Sequence, residues 1–396
     1  MAAFLLDISR TIARTPYPHP TGIDRVERAY IAHFLQSESP VWFISRVLKG
    51  YVLLDKAAMQ VVWSMINGEQ PWQKPDLIAL LFSHKLHKVV NRAESTLRRL
   101  SKAQCLRAGL GRMLTKNLPE GFNYLNIGHA NRKPWFWRAL RGAGAGKMLA
   151  MVHDVIPLDY PEYCGEVPAR RFGAELRSTA AACDALIYNS ADTAVRSAIW
   201  LQKWELNPTP LTILLGVDPL PPPASKPLAM PAEFVILGTI EPRKNHRLLL
   251  DIWPGIDADL HIVGARGWLN ETVFSTLESS PMIGKTVFEH KNLSDAALAE
   301  RLAGARALLF PSFAEGFGYP LVEALQMGLP VICSDLPCFR ELAGDLPTYL
   351  PPDDPAAWQA AISAAAASPR EIIPKNVSFP TWDQHFAKLD MFLYNN

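Results

Sequence analysis

The most constraining feature of this sequence is the regular alternation of short apolar runs with helical patterns after residue 231. The predicted strands are Phe234–Leu237, Leu260–Val263, Ala307–Phe310 and Pro330–Cys333, and the predicted helices are His246–Ile252, Asp295–Ala303 and Pro320–Met327. Strands that alternate with helices favour a parallel sheet that helices cover on both faces. This half of the chain is therefore predicted to have an α/β fold with a doubly wound sheet.

The first half shows the same pattern less regularly. It opens with a buried strand at Ala3–Ile8, a loop with proline and glycine at Pro16–Arg25, and a helical pattern from Val26. Further predicted strands are Val41–Ile44, Tyr51–Leu54, Asn123–Ile127, Met148–Val152 and Ala185–Tyr188. A strand–loop–helix joint places backbone N–H groups at the carboxyl edge of a sheet, where anions bind. We predict two Rossmann-like domains that face each other across a cleft.

A proline-rich segment at residues 219–231 separates the two halves. Several prolines exclude helix and ladder pairing, so the segment is predicted to be a linker. Residues 1–225 hold 27 Lys+Arg and 18 Asp+Glu, a charge of +9, whereas residues 226–396 hold 13 and 20, a charge of −7. We predict an N-terminal domain at 1–218 and a C-terminal domain at 232–378.

Composition excludes several classes of protein. The total charge of +2 does not indicate a nucleic-acid partner. The five cysteines form no CxxC pair, and an odd count argues against a disulfide framework, so we expect reduced thiols and a cytoplasmic location. No apolar run reaches the roughly 18–20 residues of a membrane span. The N-terminus is apolar first and basic afterwards, the reverse of an export signal.

The most specific motif is PSFAEGFGYPLVEALQMGLPVICSD at residues 311–335, in which Glu315 and Glu323 flank Gly316 and Gly318. Glycine lets backbone N–H groups approach a ligand, and the following helix N-terminus favours negative charge. A sugar nucleotide fits this combination, because its pyrophosphate can meet the backbone and its hydroxyls can meet the carboxylates. The alternative is a plain strand–loop–helix joint in which Glu315 is an acid at the start of the helix.

A second motif, LGTIEPRKNH, places a strand end at Gly238 and the cations Arg243 and Lys244, together with His246, at the next helix start. Positive charge at a helix N-terminus opposes the helix dipole. An anion bound between these cations and the helix N-terminus removes this cost, and a diphosphate is the predicted anion. The alternative is a solvated basic loop.

Together these motifs resemble the retaining GT-B glycosyltransferases with an E-x7-E motif, the glycosyl transferases group 1. The likeness is strong over residues 234–358 and weaker in TGIDRVERAYI (21–31), VHDVIPLDYPE (152–162), YNSADTA (188–194) and LLGVD (214–218). It implies a GT-B architecture with a C-terminal helix, about 379–396, that crosses back to the N-terminal domain.

The resemblance also implies a function. A hexose-type sugar would move from a nucleotide-diphosphate donor to a glycan acceptor, with retention, in surface polysaccharide or lipid-linked glycan assembly. No cofactor is implied, since the nucleotide sugar is the donor substrate. No metal is expected either, because no DxD pair occupies a convincing loop site and Asp353–Asp354 lies in a proline-rich turn.

Residue roles follow from the resemblance by position. Glu315 would bond a donor-sugar hydroxyl, Glu323 the ribose, and Lys244 the phosphates, with Arg243 in support. His153 would lie beside the reacting carbon, although a strand-end histidine satisfied by Asp154 is the alternative. The remaining donor contacts would be Gly22, Gly238, Gly316, Phe317 and Gly318. Thr239 stands where many members have arginine, so phosphate neutralisation would depend more on Arg243 and Lys244.

Residues 84–116 carry nine Lys/Arg, one acid and interleaved apolar residues. This pattern predicts one or two basic amphipathic helices, either lying in an anionic membrane interface or packed on the N-terminal domain. Three alternatives to a transferase remain open at this point: a sugar-nucleotide epimerase of the same fold, a phosphorylase-like enzyme with pyridoxal phosphate, and a non-catalytic scaffold subunit.

Overall fold

Two open sheets follow each other along the chain in the computed structural model, which describes residues 2–17, 20–223, 232–371, 373 and 377–394. Strands β1–β8 form the first sheet, and strands β9–β14 form the second. This confirms the predicted α/β class. Of the predicted linker, residues 224–231 lie outside the described residues.

The first sheet has the order β4-β3-β2-β1-β5-β6-β7-β8. Its strands are β1 Phe4–Asp7, β2 Val41–Val47, β3 Gly50–Asp55, β4 Ala103–Cys105, β5 Asn123–Asn126, β6 Met148–Val152, β7 Ala185–Tyr188 and β8 Thr209–Thr212. Its helices are α1 Ser9–Ala13, α2 Gly22–Gln36, α3 Lys56–Ile66, α4 Leu77–Leu81, α5 Lys88–Leu100, α6 Leu110–Asn117, α7 Pro134–Gly142, α8 Ile156–Asp159, α9 Glu166–Ala180 and α10 Ala191–Lys203. Neighbouring strands are parallel from β2 through β1, β5, β6 and β7 to β8. Strand β3 is antiparallel to both β2 and β4.

The second sheet is parallel throughout its described strands, in the order β11-β10-β9-β12-β13-β14. Its strands are β9 Glu233–Leu237, β10 Asp259–Val263, β11 Val287–His290, β12 Ala307–Phe310, β13 Val331–Ser334 and β14 Thr348–Leu350. The helices that follow are α11 His246–Ile252, α12 Glu271–Ser279, α13 Asp295–Gly304, α14 Tyr319–Gln326, α15 Pro337–Ala343, α16 Pro355–Ala367 and α17 Trp382–Tyr394.

Helix α2 begins four residues before the apolar pattern that predicted it. The Asp24 carboxylate accepts hydrogen bonds from the N–H and the hydroxyl of Thr21, both at 2.8 Å. This reciprocal cap starts the helix at Gly22. Gly22 was expected in a loop, and the structure corrects this, because Gly22 is the first helical residue.

The two sheets present their carboxyl edges to each other. The loop after β12 meets the loop after β6, where a β-carbon on Gly316 would lie 2.1 Å from the carbonyl oxygen of His153. Only glycine allows this approach, which brings the two backbones into contact. The Ser190 hydroxyl then donates to the Gly316 carbonyl at 2.8 Å.

Helix α17 returns to the first sheet, as expected for the C-terminal helix. The Phe386 ring stacks on His33 of α2, with 3.9 Å between ring centroids. His385 shares a hydrogen bond with the Tyr30 hydroxyl at 2.8 Å. Helices α2 and α17 are thereby packed together through one aromatic cluster.

The basic segment 84–116 contains two helices, α5 and α6, within the predicted one or two, and the short edge strand β4 lies between them. Its apolar side chains are largely used inside the fold, since Leu97 and Leu114 are completely buried. Arg98 forms ion pairs with Asp76 and Glu94. Most of the apolar surface of this segment is therefore occupied by protein contacts, although Leu106 is 68% exposed. Within the described chain, no helix is both long and apolar enough to cross a bilayer.

Candidate active site

Glu315 is the centre of a charged cluster at the carboxyl edge of the second sheet. Its carboxylate accepts from Lys244 Nζ at 2.6 Å and pairs with Arg243 Nη1 at 2.7 Å. The Ser312 hydroxyl donates to the same carboxylate at 2.8 Å. Burial alone would raise the pKa of Glu315, but Arg243 and Lys244 outweigh burial and hold that pKa at about 2. Glu315 is therefore a permanent anion at neutral pH.

The side chain of Arg243 makes more polar contacts within the protein than that of Lys244. Arg243 donates to the Ala314 carbonyl at 3.0 Å and pairs with Glu241 at 2.7 Å, in addition to Glu315. Lys244 bonds Glu315 and lies 4.6 Å from the centroid of the Phe310 ring. An ammonium has three donors. Lys244 thus keeps capacity for another anion, whereas Arg243 mainly fixes the cluster.

Gly238 comes directly after β9, beside Lys244. Its φ is +141°, and a β-carbon there would lie 3.2 Å from Lys244 Cε. Glycine is required because this backbone conformation disfavours any side chain. The lysine stem therefore passes directly over the end of β9.

Glu323 lies apart from this cluster, on α14. Its carboxylate is 2% exposed and forms an ion pair with Arg25 of α2, across the two domains. Burial raises the pKa of Glu323, and Arg25 opposes this rise. Asp295 of α13 lies 3.9 Å from the same guanidinium. The position assigned to ribose is thus occupied by an arginine of the other domain.

The N-termini of α2 and α14 face each other at this junction. A β-carbon on Gly22 would lie 3.3 Å from the Tyr319 ring. Gly318 precedes α14 with a φ of +120°. Phe317, predicted to contact the donor, has a side chain that is 4% exposed within the hydrophobic core, so that only its backbone is available to a ligand.

His153 is buried at the end of β6. Its Nε2 lies 2.8 Å from the Ile127 carbonyl, which makes Nε2 the protonated nitrogen. Asn189 donates to the His153 carbonyl at 2.8 Å. Burial lowers the pKa of His153 to about 4. The imidazole is therefore neutral at pH 7. Asp154 does not bond this ring but accepts from the Ile156 N–H at 3.1 Å.

Sequence reasoning missed Arg25. It lies within the quoted segment TGIDRVERAYI, one helical turn after Gly22, so both residues share the face of α2 that meets α14. That spacing was a usable signal, but the helix was expected to begin only at Val26. Among the described residues, no group of His, Cys, Asp or Glu side chains is placed to hold a metal. Asp354 instead caps α16 through the Ala357 N–H.

The fold and this cleft define a two-domain α/β protein with the GT-B architecture. Residues 223–376 match the family model of the glycosyl transferases group 1. The serotype-specific mannosyltransferase WbdA of Escherichia coli is 35% identical over 394 residues, covering 92% of this chain and 43% of WbdA. The chain spans less than half the length of the WbdA relatives that it matches.

Two solved structures share the fold over nearly the whole chain. Alr3699/HepE from Anabaena, in complex with UDP-glucose, has a TM-score of 0.62 at 12% identity, covering 99% of this chain and 100% of that chain. Sucrose-phosphate synthase from Thermosynechococcus elongatus has a TM-score of 0.60 at 15% identity, covering 99% and 98%. At these identities the likeness establishes the architecture.

The buried state of His153 gives a testable pH dependence. Its native pKa of about 4 lies below the ordinary value near 6.5, so between these pH values the unfolded chain binds a proton that the native ring does not. Acid therefore destabilises the native state through this group. In His153→Gln, the amide can still donate to Ile127, but this proton is gone. Between pH 6.5 and 4, His153 should lower the folding constant of the wild type about tenfold for each unit by which the pH falls. This contribution should be missing in the variant, so its free energy of unfolding should depend less steeply on pH.

The measurement is urea unfolding of both proteins at pH 7, 6 and 5. Equal pH slopes for wild type and variant would show that His153 titrates normally in the native state.

Proposed function

We propose that this chain is a glycosyltransferase that moves a hexose-type sugar, with retention and without a metal, from a nucleotide-diphosphate donor to a glycan acceptor. The proposed role is surface polysaccharide or lipid-linked glycan assembly. The family and the WbdA likeness support transfer chemistry and favour mannose as the sugar. The observation that carries the proposal is the Glu315–Lys244 pair beside the contact of Gly316 with the other domain.

The arrangement matches the demands of breaking a sugar–diphosphate bond. Negative charge grows on the leaving phosphate, and preorganised cations and N–H groups stabilise it. Lys244 supplies the cation, held in place by Glu315 and Phe310. The N-termini of α2 and α14 supply N–H groups from two sides.

Glu315 would act as an acceptor of sugar hydroxyl hydrogen bonds rather than as an acid. A group with a pKa of about 2 holds no proton to give at neutral pH. Retention by attack from the face that the leaving group departs requires no protein nucleophile, because the phosphate oxygen takes the acceptor proton. This agrees with a site in which the carboxylates are paired with cations.

Glu323 would exchange partners when the donor binds. In this structure its carboxylate is paired with Arg25. If ribose hydroxyls take that carboxylate, Arg25 becomes free beside Gly22 and the diphosphate. Arg25 would then supply the positive charge that many family members have as an arginine at the position of Thr239.

The experiment that tests the function begins with thermal stabilisation by UDP-, GDP- and ADP-sugars. A ligand that binds only the folded state stabilises it by about 2.7 kcal/mol at a hundredfold excess over Kd. The stabilising donor is then incubated with oligosaccharide acceptors in EDTA, and the anomeric configuration of the product is read by NMR. We expect transfer with retention in EDTA. Inversion, or rescue only by Mg²⁺ or Mn²⁺, would contradict the mechanism, and isomerised donor without acceptor would indicate an epimerase.

A pair of variants should separate phosphate from ribose recognition. Lys244→Ala should weaken nucleoside diphosphate binding about ten- to a hundredfold, because a hydrogen bond to a charged group contributes about 1.5–3 kcal/mol. It should leave the bare nucleoside almost unaffected. Glu323→Gln should weaken both ligands by a similar factor, because both contain ribose.

Calorimetry with the diphosphate and the nucleoside of the identified base measures all four values. Arg247→Ala is the matched control, since Arg247 lies on α11 and is exposed and paired with Asp251. The assignment fails if Lys244→Ala weakens both ligands equally, or if Glu323→Gln weakens only the diphosphate.

A further inference from the structure

The first domain contains a cavity of about 510 Å³ outside the cluster described above. It lies between α1, the N-terminal half of α2, and the segment that follows α3. Thr11, Arg14 and Tyr17 line one side, Asp24 and Arg28 the helix side, and Trp72 the far side. Its volume lies within the roughly 300–1,000 Å³ of small-molecule sites.

The topology places this cavity at the cleft edge of the sheet. Strand β1 runs toward that edge, and α2 starts there at Gly22. Because β3 is antiparallel to β2, α3 runs back toward the same edge and ends there at Ile66. The cavity therefore opens beside the donor cleft and not on the opposite side of the domain.

Helix α2 separates the cavity from the donor site. Gly22 and Arg25 face α14, while Asp24 and Arg28 line the cavity. A helix with its side chains is about 10–12 Å across. A chain-like molecule bound in the cavity can thus extend past the N-terminus of α2 to the diphosphate site, which is about one helix diameter away.

The lining combines aromatic faces with polar groups. Tyr17 is 57% exposed and stacks under the Arg14 guanidinium at 4.0 Å. Trp72 is half-buried, so part of its ring is open to a ligand. Flat aromatic faces bury large apolar area, and the tryptophan N–H adds a donor. A pyranose offers the complementary surfaces, with apolar C–H faces and hydroxyls at its rim.

The charges favour a neutral ligand with hydroxyls over a multiply charged one. Arg14 pairs with Asp24 at 3.2 Å. Arg10 pairs with the same carboxylate at 2.9 Å and with Glu27 at 3.5 Å, so the two arginines face two acids. Arg28 makes no hydrogen bond or ion pair with the described part of the chain. One free guanidinium beside a paired carboxylate can bond several hydroxyls, whereas a lipid tail would meet charged groups along this wall.

We propose that this cavity binds sugar residues of the acceptor glycan, next to the residue that receives the transferred sugar, with Trp72 and Arg28 as its main contacts. The inference rests on the proposed function, since it names where the acceptor of that reaction lies. The cavity gives the enzyme a preference for acceptors longer than one sugar.

The test compares methyl α-mannoside with manno-oligosaccharides of two to four residues, using calorimetry with the nucleoside diphosphate present and transfer kinetics with the identified donor. In wild type, affinity should rise with length by at least tenfold. Trp72→Ala and Arg28→Ala should abolish this rise, while the Kd for the nucleoside diphosphate stays unchanged. Arg170→Ala, on an arginine side chain that is 81% exposed, is the control and should behave as wild type.

Calorimetry separates this inference from the proposed function, because it requires no turnover. Length-dependent binding that survives in both variants would place the acceptor elsewhere, whether or not transfer occurs. Wild-type protein that binds none of the oligosaccharides would also overturn the proposal. The thermal midpoint of each variant shows whether it is folded, and Arg28→Ala, at a half-buried surface position, provides the result if Trp72→Ala is unstable.

Discussion

The pairing of Glu315 with Lys244 and Arg243 is the interaction on which the rest of the cleft depends. The Glu315 and Lys244 side chains are each 8% exposed. A buried ion is costly unless a partner and hydrogen bonds compensate it, and removing one partner leaves the other uncompensated. The cluster therefore fixes two loops relative to each other, the one after β9 and the one after β12.

The second domain meets the first through backbone and side-chain contacts. Gly316 touches His153, and the Glu341 carboxylate of α15 accepts from the Ala191 N–H at the start of α10. Arg25 and Glu323 add a charged contact between α2 and α14. The charged contact is the one that a ligand can replace, because hydroxyl groups can satisfy the same carboxylate. If Glu323 binds the donor ribose as proposed, donor binding and the contact between the domains are coupled through one buried acid.

The sequence predicted the parts of this molecule that follow from local patterns. Strands β9, β10, β12 and β13 lie within one residue of their apolar runs, because buried parallel strands are continuously apolar. Strand β11 was missed, since three of its four residues are only partly buried. Strand β4 was hidden inside the basic segment, whose charge pattern suggested helix throughout.

The site was predictable in composition but not in its pairings. The motifs contained Glu315, Lys244 and Arg243, yet no spacing rule states that the two cations would bind that carboxylate. Arg25 and Glu323 are 298 positions apart, so only the packing of α2 on α14 brings them together. The neutral state of His153 likewise depends on tertiary structure, because burial lowers its pKa while the hydrogen bond to the Ile127 carbonyl, just after β5, opposes that fall.

The most direct measurement of the central claim is the structure of this chain in complex with the nucleoside diphosphate that stabilises it. We expect the diphosphate to lie between Lys244 and the N-termini of α2 and α14. We also expect ribose hydroxyls to bond Glu323 and Arg25 to have left that carboxylate. A nucleotide bound elsewhere, or an intact Arg25–Glu323 pair beneath bound ribose, would contradict this expectation.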